Sequence, residues 1–490
     1  MENTITKPDE NVKYIKKNEM IIYLVAVFFY TMMTGMVGSY RNAYLVNVLK
    51  VPSTMTSKYN LLINVIPFVL NIFIAMYIDS RKVGKFGKFK PLGLISAVPA
   101  GVFLMLSFYA PRGIGSTALL VYLVSVAVLW SVSTNFGNSV NMVAVVMSPN
   151  LKERDNVISL RSIVSAVGNS APLVVVLVIG LIWKDEGTQY IIGAGICTAL
   201  GVITMLFGMK TVKERVVYNN EKKNPVAGFV DVVKNKYAWI IIVSDFLKNF
   251  RNIATYMGVF LAAALLGSTS KFLLFGLPTG IGTAVGMLII KFLLKRFDSR
   301  VLYIASGVYS VLINTAAFAI GYIYFKNPQS ILQILFIVFL FLIGLQFGAS
   351  NLLPTMFQAD VLESIELKTG KRLDASLPFV IGVFTMISGT IANTLSPLVL
   401  YDDAEKGWNS IIHYVPAAET QTFDVKIKLL FFYTIFHGLM MFLAGIPFFF
   451  YKLTGKTKDD MHNAVLEQRK QFEGKTVSDD EDNTTPEPTV

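Results

Sequence analysis

Long apolar runs recur along most of the chain, and they restrict its possible folds more than any other feature. Met20–Leu45 and Leu429–Tyr451 are two clear examples. A helix needs about 20 residues to cross the ~30 Å hydrocarbon core of a bilayer. Because no water is available there to hydrogen-bond the backbone, helices are the expected structure for such runs. The sequence therefore predicts an all-α membrane protein.

Composition and charge agree with a membrane location. Of the 490 residues, 53% are hydrophobic and only 16% are charged, and the mean hydropathy is +0.55. A soluble protein of this size needs more polar surface. The net charge of +12 would suggest nucleic acid binding in a soluble protein. Here the basic residues lie between the apolar runs, which the positive-inside rule explains. We expect membrane lipids around the chain and no nucleic acid partner.

The apolar runs predict about twelve membrane spans. They lie near residues 20–47, 58–78, 92–110, 117–147, 157–183, 189–209, 237–266, 272–294, 301–325, 330–357, 377–401 and 427–451. The connections at Arg81–Lys90, Lys210–Lys236 and Lys291–Arg300 are rich in basic residues, whereas the intervening loops are weakly charged. Basic loops remain on the cytoplasmic side. We therefore expect a multi-pass protein of the cell (inner, cytoplasmic) membrane with both termini in the cytoplasm.

A long basic loop after the sixth span divides the chain into two halves. The expected domains are an N-terminal cytoplasmic segment (1–19), a six-helix bundle (20–209), a central cytoplasmic loop (210–236), a second six-helix bundle (237–452) and a cytoplasmic tail (453–490). The end of the tail is acidic and Pro/Thr-rich, so we expect it to be disordered. Repeated bundles with a binding site near the middle of the membrane are typical of secondary transporters.

Three charged motifs carry a resemblance to a known family. Asp79-Ser-Arg81 is followed by Gly87-Lys-Phe-Lys-Pro91, and Glu153-Arg154 precedes Arg161 in span five. Ala359-Asp360…Glu363…Glu366-Leu-Lys368-Thr-Gly370-Lys-Arg372 precedes span eleven. These motifs resemble the glycoside–pentoside–hexuronide:cation symporter family of the major facilitator superfamily. The resemblance implies two six-helix bundles, a small-molecule sugar or glycoside substrate and a coupling cation, and it assigns Arg161 to the sugar site.

The carboxylates that bind sodium in that family differ here. The two aspartates of span two correspond to Pro67 and Asn71, and the acid of span one corresponds to Thr31. A hard cation normally needs several oxygen ligands that include a carboxylate, so Asn71 alone is a weak coupling candidate. Asp245 is the leading candidate, since it is the clearest carboxylate well inside a span. The possible coupling ion is H⁺ or Na⁺, and no other cofactor and no metal site is expected.

The charges of the motifs are predicted to lie at cytoplasmic helix ends and loops. There they could form ion pairs that exist in only one conformation and so act as a gate. The alternative is that they only solvate the surface and set the topology. The candidate gate residues are Asp79, Arg81, Glu153, Arg154, Asp360, Glu363, Glu366, Lys368 and Arg372.

Ionisable groups inside spans are candidates for function. Span seven holds Asp245, Lys248 and Arg251, together with Tyr256. Asp245 and Lys248 are three residues apart and can pair on one helix face. Arg251 then either contacts an anionic substrate or pairs with an acid on another helix.

Span four places Trp130, Thr134, Asn138 and Asn141 on one stripe. An aromatic face and amides suit a sugar ring, although small polar residues also serve helix packing. In span one, Tyr40 and Arg41 are further substrate candidates, and Arg41 could instead reach the interface.

Several weaker signals complete the set. Gln346 and Asn351 in span ten, Asn393 in span eleven and His437 in span twelve are secondary candidates. Gly280-x-Gly282-x-x-x-Gly286 favours close helix packing in span eight.

Three functions fit the sequence. The first is secondary active transport of a small sugar, glycoside or sugar acid by alternating access. Because Arg161, Arg251 and Lys248 outnumber Asp245 inside spans, a hexuronate or glucuronide is favoured. The alternatives are a non-transporting sensor or scaffold and a lipid or lysolipid carrier on the same fold. No catalytic constellation or Walker sequence is present, so an enzyme is not expected, and the protein is expected to work as a monomer.

Overall fold

The computed structural model describes residues 13–468, apart from 81–83, 85, 112, 217–227, 371–372, 374–375, 419 and 466. The α-helices are α1 (Lys17–Ala43), α2 (Ser53–Ser80), α3 (Lys90–Ser107), α4 (Ser116–Gly137), α5 (Ser139–Val146), α6 (Leu151–Ile182), α7 (Glu186–Thr211), α8 (Phe229–Lys234), α9 (Lys236–Asn249), α10 (Arg251–Leu266), α11 (Leu273–Leu293), α12 (Ser299–Lys326), α13 (Ser330–Thr369), α14 (Ser376–Leu400), α15 (Phe423–Phe431) and α16 (His437–Gly445). A further tail helix covers residues 455–465.

Within the described ranges, eleven helical segments are long and apolar enough to cross a membrane. They coincide with eleven of the predicted spans, so the all-α membrane fold is confirmed. The predicted seventh span is divided at Phe250 into α9 and α10, which have 14 and 16 residues. Each is shorter than the ~20 residues that a bilayer requires. Span twelve runs over Phe423–Phe450 and includes a π-helical turn at Phe432–Phe436.

Span ten is much longer than its hydropathy predicts. We expected it to end near residue 357, but α13 continues to Thr369 and is 40 residues long. It ends at Gly370, whose φ of 67° is the left-handed conformation that glycine adopts most easily. The prediction that the Asp360–Lys368 motif forms a loop is therefore wrong, because its charges lie on a continuous helix.

The chain divides into two compact units. Unit one consists of the chain up to Lys222 together with Asn252–Leu277 and Thr390–Tyr433. In it, α1 packs against α6 and α7, and α3 packs against α4 and α7. Glycines permit this close approach, because a Cβ atom at Gly35 would meet the Asn169 backbone and one at Gly168 would meet the Phe28 backbone.

Unit two consists of Lys223–Arg251, Pro278–Gly389 and the chain from Thr434 onward. Here α12 packs against α13 and α16, and α9 packs against α16. Its core is aromatic: the Phe448 ring lies 4.3 Å from Phe357 and 4.6 Å from Tyr303, centroid to centroid. These rings bury large areas and fix the register of the elements that carry them.

The glycines of α11 pack as predicted. A Cβ atom at Gly282 or Gly286 would collide with the backbone of α13, and Gly344 and Gly348 face them from that helix. Gly280 faces open space instead. The predicted close packing is confirmed for Gly282 and Gly286, whereas the domain boundaries at 20–209 and 237–452 stay predictions.

Candidate substrate and coupling sites

Arg161 lies on α6, about 15 Å along the helix from its start. Its Nη1 donates to the Asn141 carbonyl oxygen at 2.9 Å, and its Nη2 lies 3.5 Å from the Ser162 hydroxyl. Its Nε is buried and has no hydrogen-bond partner in the described part of the chain. No described carboxylate pairs with it. The membrane span thus contains a cation without a protein counter-charge among the described residues.

The amides of the predicted span-four stripe gather near Arg161. Asn138 interrupts the span between α4 and α5, and its side-chain oxygen lies 3.4 Å from the Asn141 amide. The Tyr30 hydroxyl of α1 donates to this oxygen at 3.2 Å and to the Thr134 carbonyl oxygen at 2.6 Å. The structure therefore brings Arg161, Asn141 and Asn138 together, and we call these three residues the Arg161 cluster.

Thr134 and Trp130, the other two members of the stripe, contact each other within α4. The Thr134 hydroxyl donates to the Trp130 carbonyl oxygen at 2.9 Å, and the Trp130 side chain is buried. Both stay predicted substrate residues.

Tyr40 and Arg41 lie elsewhere in unit one. They follow Tyr30 by about 15 Å along α1. The Arg41 guanidinium lies 5.6 Å from the centre of the Tyr59 ring, a distance typical of a cation–π contact. The hydroxyls of Tyr40 and Tyr256 are buried and have no hydrogen-bond partner among the described residues. These three candidates lie apart from the Arg161 cluster.

A buried network around Glu186 was not predicted. The Glu186 carboxylate, at the start of α7, accepts from Asn47 Nδ2 at 3.1 Å and from Thr269 Oγ1 at 2.7 Å. The Tyr190 hydroxyl lies 2.8 Å from Thr269 Oγ1, and the Tyr414 hydroxyl donates to Asn47 Oδ1 at 3.2 Å. We call these five residues the Glu186 network. It joins the end of span one to α7, to the turn before α11 and to the segment after α14, all within unit one.

A second seam in unit one joins α2 and the residues just before it to α14 and the segment that follows α14. The Asn60 amide donates to the Asn393 carbonyl oxygen at 2.8 Å, and the Tyr401 hydroxyl donates to the Val51 carbonyl oxygen at 2.8 Å. The side chain of Asn393, a secondary candidate, is not used in this contact.

A cavity of about 470 Å³ lies beside the Glu186 network. Its polar lining includes Asn47, Lys184, Asp185, Glu186, Ser268, Tyr414, Gln421 and Lys426. Asp185 caps α7 and accepts from the Thr188 hydroxyl and amide N–H, both at 2.7 Å. These bonds lower the pKa of the Asp185 carboxyl below its usual value, the hydroxyl contributing most. Among the described residues of the lining, both acids are thus already hydrogen-bonded within the protein.

In unit two, Asp245 and Lys248 form the predicted ion pair on α9. The Asp245 carboxylate also accepts from the Thr385 hydroxyl and lies 3.4 Å from the Asn249 amide. Asp245 is therefore held by three side chains, one of which belongs to α14. Its predicted coupling role would require this ion pair to break or reform.

Arg251 lies over the Phe347 ring, with its guanidinium carbon 4.8 Å from the ring centre. His437 contacts the same ring edge-on, at 5.1 Å between centroids. Gln346, the preceding residue of α13, is buried, and both atoms of its side-chain amide lack a partner in the described structure. Asn314 of α12, which the sequence did not single out, packs against the Gly438 backbone. These residues form a polar layer inside unit two.

The candidate gate residues that the structure describes make different kinds of contact. Glu153 accepts from the amide N–H groups of Tyr14 and Ile15 at 3.0 and 3.1 Å, and Arg154 lies 3.8 Å from Asp155. Glu366 is buried on α13, and Lys368 lies in its last turn. The side chain of Asp79, and Arg81 and Arg372 altogether, lie outside the described residues.

Two gate candidates hold the tail helix. Asp360 is buried and pairs with Lys458 at 2.7 Å, while the Tyr451 hydroxyl donates to it at 3.2 Å. One turn further along α13, the Glu363 carboxylate lies 3.1 Å from His462 Nδ1. Asp360 and Glu363, which hydropathy assigned to a loop, therefore bind residues that follow span twelve.

Ligands for a cation are sparse in the described residues, which contain no group of three His, Cys, Asp or Glu placed to hold a metal ion. The side-chain oxygen of Asn71 is buried in α2 without a hydrogen-bond partner there. It offers one neutral oxygen, so its coupling role stays a prediction.

The comparisons with known proteins identify the chain as a membrane transporter. Residues 22–455 match the family model described as MFS/sugar transport protein, and the chain belongs to this family. It is therefore a multi-pass secondary transporter of a small molecule, and not an enzyme. The family resemblance expected from the three charged motifs is confirmed.

Curated relatives are similar over most of their length. "Uncharacterized symporter YjmB" of Bacillus subtilis (strain 168) is 24% identical over 87% of this chain and 90% of its own length. "Putative glycoside/cation symporter YagG" of Escherichia coli (strain K12) is 24% identical over 80% of this chain and 82% of its own. Among solved structures, the nucleoside transporter NupG gives a TM-score of 0.62 at 15% identity, covering 89% of this chain and 100% of that one. The structural likeness supports the major facilitator fold.

Proposed function

We propose that this transporter carries a sugar acid, such as a hexuronate or a glucuronide, across the cytoplasmic membrane by alternating access. The observation that carries the proposal is Arg161, a guanidinium inside α6 with a buried, unpartnered Nε and no carboxylate partner in the described part of the chain. A cation inside a membrane is costly unless an opposite charge accompanies it. A substrate carboxylate supplies that charge, and a guanidinium can bind it with two parallel hydrogen bonds.

The neighbouring amides favour a sugar as the rest of the substrate. The Asn141 main-chain carbonyl accepts from the guanidinium, and the Asn141 side-chain amide contacts Asn138. Side-chain amides both donate to and accept from hydroxyl groups. The name of the Escherichia coli relative, a glycoside/cation symporter, agrees with this class. Lys248 supports the acid preference less, because Asp245 already neutralises it.

The proposed coupling residue is Asp245. Protonation or cation binding at its carboxylate would weaken the pair with Lys248 and the bond from Thr385. Such a change links one charge to the contact between α9 and α14, which is how an ion can bias a two-state element. We also propose that both termini are cytoplasmic, because the basic connections favour that orientation, and that the protein works as a monomer.

The first test is thermal unfolding of the purified protein with neutral sugars, glycosides and sugar acids, each with sodium, with potassium and at two pH values. A ligand that binds the folded state raises the melting temperature by mass action. We expect glucuronate or a glucuronide to stabilise the protein and glucose to do so less. Arg161→Gln should weaken that binding by about 10- to 100-fold, the effect of losing a charge-assisted hydrogen bond of ~1.5–3 kcal/mol.

Arg300→Gln is the matched control, since this arginine donates to the Phe449 carbonyl oxygen and lies outside the proposed site. If sugar acids leave both proteins unchanged and lipids stabilise them, the lipid-carrier alternative replaces the proposal. Counterflow of labelled glucuronate in proteoliposomes then separates transport from binding, and Asp245→Asn should remove its dependence on pH or sodium. Binding without flux would favour the sensor alternative.

A further inference from the structure

Arg41 is a guanidinium inside span one that pairs with no described residue. The span runs over Lys17–Val48, and Arg41 precedes its last residue by about 10 Å along the helix. The Nε of Arg41 is buried without a hydrogen-bond partner, and the side chain forms no hydrogen bond or ion pair with any residue that the structure describes. An arginine at this depth is costly unless an opposite charge accompanies it.

The ring of Tyr59 holds the Arg41 guanidinium against the protein. Tyr59, on α2, is buried, and its ring centre lies 5.6 Å from the guanidinium carbon. A snorkelling arginine extends its charge to water or to the lipid headgroups, so this contact argues against that alternative for Arg41. A guanidinium above an aromatic ring keeps its N–H groups available to a carboxylate.

Tyr256 adds an unpaired hydroxyl close to this charge. Its side chain, on α10, is buried, and its hydroxyl has no hydrogen-bond partner in the described part of the chain. The charge of Arg41 is close enough to act on this phenol. Buried polar groups are normally hydrogen-bonded, and leaving one unpaired costs free energy. A ligand with both a carboxylate and hydroxyls, as a sugar acid has, satisfies both side chains.

The acids nearest to this position do not neutralise Arg41. Glu186 and Asp403 are the carboxylates whose charges act on the adjacent tyrosines, Tyr40 and Tyr401. Glu186 accepts a hydrogen bond from Thr269 and Asp403 accepts one from Thr54, and neither acid forms an ion pair with Arg41. The carboxylate of a ligand therefore competes with no protein carboxylate for this guanidinium.

We propose that Arg41 and Tyr256 form a second binding position for the sugar acid, occupied before or after the Arg161 cluster during transport. This inference rests on the proposed function, because it takes the same substrate class. The Arg161 cluster contacts α1 at Tyr30, and Arg41 lies about 16 Å further along that helix. One sugar ring is much shorter than this distance, so the two guanidiniums define separate positions within unit one.

Site-directed labelling tests the inference. Gly38 lies one turn before Arg41 on the same face of α1, and it is exposed, with open space where a Cβ atom would lie. In the Gly38→Cys protein, whose native Cys197 is buried, we expect glucuronate, but not glucose, to slow modification by a small water-soluble thiol reagent. Gly115→Cys is the matched control, because Gly115 is also exposed with open space at its Cβ position, and its labelling should not respond.

Further substitutions assign any protection to Arg41. Protection should persist when Gly38→Cys is combined with Arg161→Gln. Combined with Arg41→Gln, it should need about 10- to 100-fold more glucuronate, the effect of losing a charge-assisted hydrogen bond. Arg41→Lys should lose less, because lysine keeps the charge without the planar fork, and Arg300→Gln should have no effect.

Tyr256→Phe separates ligand contact from packing. Because the Tyr256 hydroxyl has no described partner, its removal should not lower the melting temperature of the ligand-free protein. It should raise the glucuronate concentration needed for protection by about 2- to 10-fold, the effect of one neutral hydrogen bond. Tyr309→Phe is the comparison, since that hydroxyl donates to the Leu342 carbonyl oxygen at 3.0 Å. It should lower the melting temperature and leave protection unchanged, and the same pattern for Tyr256→Phe would remove Tyr256 from the site.

Several results would overturn the Arg41 position while glucuronate still stabilises the protein through Arg161, which leaves the proposed function intact. They are a Gly38→Cys protein that does not react with the reagent, labelling that glucuronate does not change, protection that survives Arg41→Gln, and protection that disappears with Arg161→Gln. If glucuronate neither stabilises the protein nor protects Gly38→Cys, the proposed function itself is wrong.

Discussion

The Glu186 carboxylate accepts a hydrogen bond from the side-chain amide of Asn47, 139 residues earlier in the chain, at 3.1 Å. Its other oxygen accepts from Thr269 at 2.7 Å. One carboxylate thus holds three distant segments of unit one together. In alternating access, one end of the transporter must open while the other is closed. If the segments that Glu186 joins separate during that step, both bonds must break, and their loss then adds to its free energy.

Glu186→Gln should weaken the contacts between the three segments that this carboxylate joins. A glutamine is neutral and has one acceptor oxygen, so Asn47 and Thr269 both lose a charged acceptor and one of them loses its acceptor altogether, at a cost of about 1.5–3 kcal/mol. We expect hydrogen exchange of the amides at Thr269–Phe272 to accelerate by roughly tenfold or more. Glu405→Gln is the control, since Glu405 is exposed and takes no part in the network. Equal exchange rates in the two variants would mean that the hydrogen bonds of Glu186 do not stabilise the contacts between these segments.

The contribution of Asp185 to the stability of the folded protein should depend on pH. Its hydrogen bonds from Thr188 lower the pKa of its carboxyl in the folded protein. A lowered pKa means that the stabilisation is present above the ordinary aspartate pKa of about 3.9 and is lost as the pH falls through the folded value. Asp185→Ala should reduce the free energy of unfolding by about 1 kcal/mol at pH 7, as for other helix N-caps. Thermal unfolding from pH 7 to pH 3 should show this difference shrinking below pH ~4, and a constant difference would contradict it.

The two nearby glycines of α11 should respond differently to the same substitution. A methyl group at Gly282 would meet the Phe341 carbonyl oxygen of α13, whereas one at Gly280 meets open space. We expect Gly282→Ala to lower the free energy of unfolding by about 1–3 kcal/mol through overpacking. Gly280→Ala should be neutral or slightly stabilising, because alanine favours helix more than glycine. Thermal unfolding in detergent measures both, and equal effects would exclude the packing explanation.

Lys458 should control the attachment of the tail helix. Lys458→Met removes the counter-charge of buried Asp360 and leaves its hydrogen bond from the Tyr451 hydroxyl. Breaking a fully buried ion pair lowers the free energy of unfolding by about 3–5 kcal/mol. Because Lys458 is partly exposed, the loss of this ion pair should lower it by less. We expect faster proteolysis within residues 455–465. Lys456 is an exposed residue on the same helix, so the Lys456→Met protein should be cleaved at the same rate as the original protein. Adding Asp360→Asn to Lys458→Met should restore part of the protection, because no buried charge then remains.

The sequence predicts those parts of this fold that depend on residues close together in the chain. Apolar length defines the spans, a three-residue separation pairs Asp245 with Lys248, and glycine spacing predicts the packing of α11. The Glu186 network depends instead on residues far apart in the chain. Spacing carries no information about such contacts, and Glu186 looks like an ordinary acid at the end of a span.

The extension of α13 was missed for a related reason. The charges of Asp360 and Glu363 end the hydropathic run, so the span was predicted to stop before them. Their partners, Lys458 and His462, come from a segment that hydropathy does not connect with span ten. Once those charges are paired, the helix can continue to Gly370. The Arg161 cluster was predicted in part, because Arg161 and the two amides were each named but their meeting depends on the interruption at Asn138.

The length of α13 has a mechanical consequence. Its 40 residues span about 60 Å, twice the ~30 Å thickness of the hydrocarbon core. Roughly half of this rod therefore extends beyond the hydrocarbon layer, and the tail helix is fastened to that half. A tilt of about 10° inside the membrane displaces a point 30 Å further along a straight helix by about 5 Å. Small reorientations of span ten are thus amplified into movements of the residues that follow span twelve.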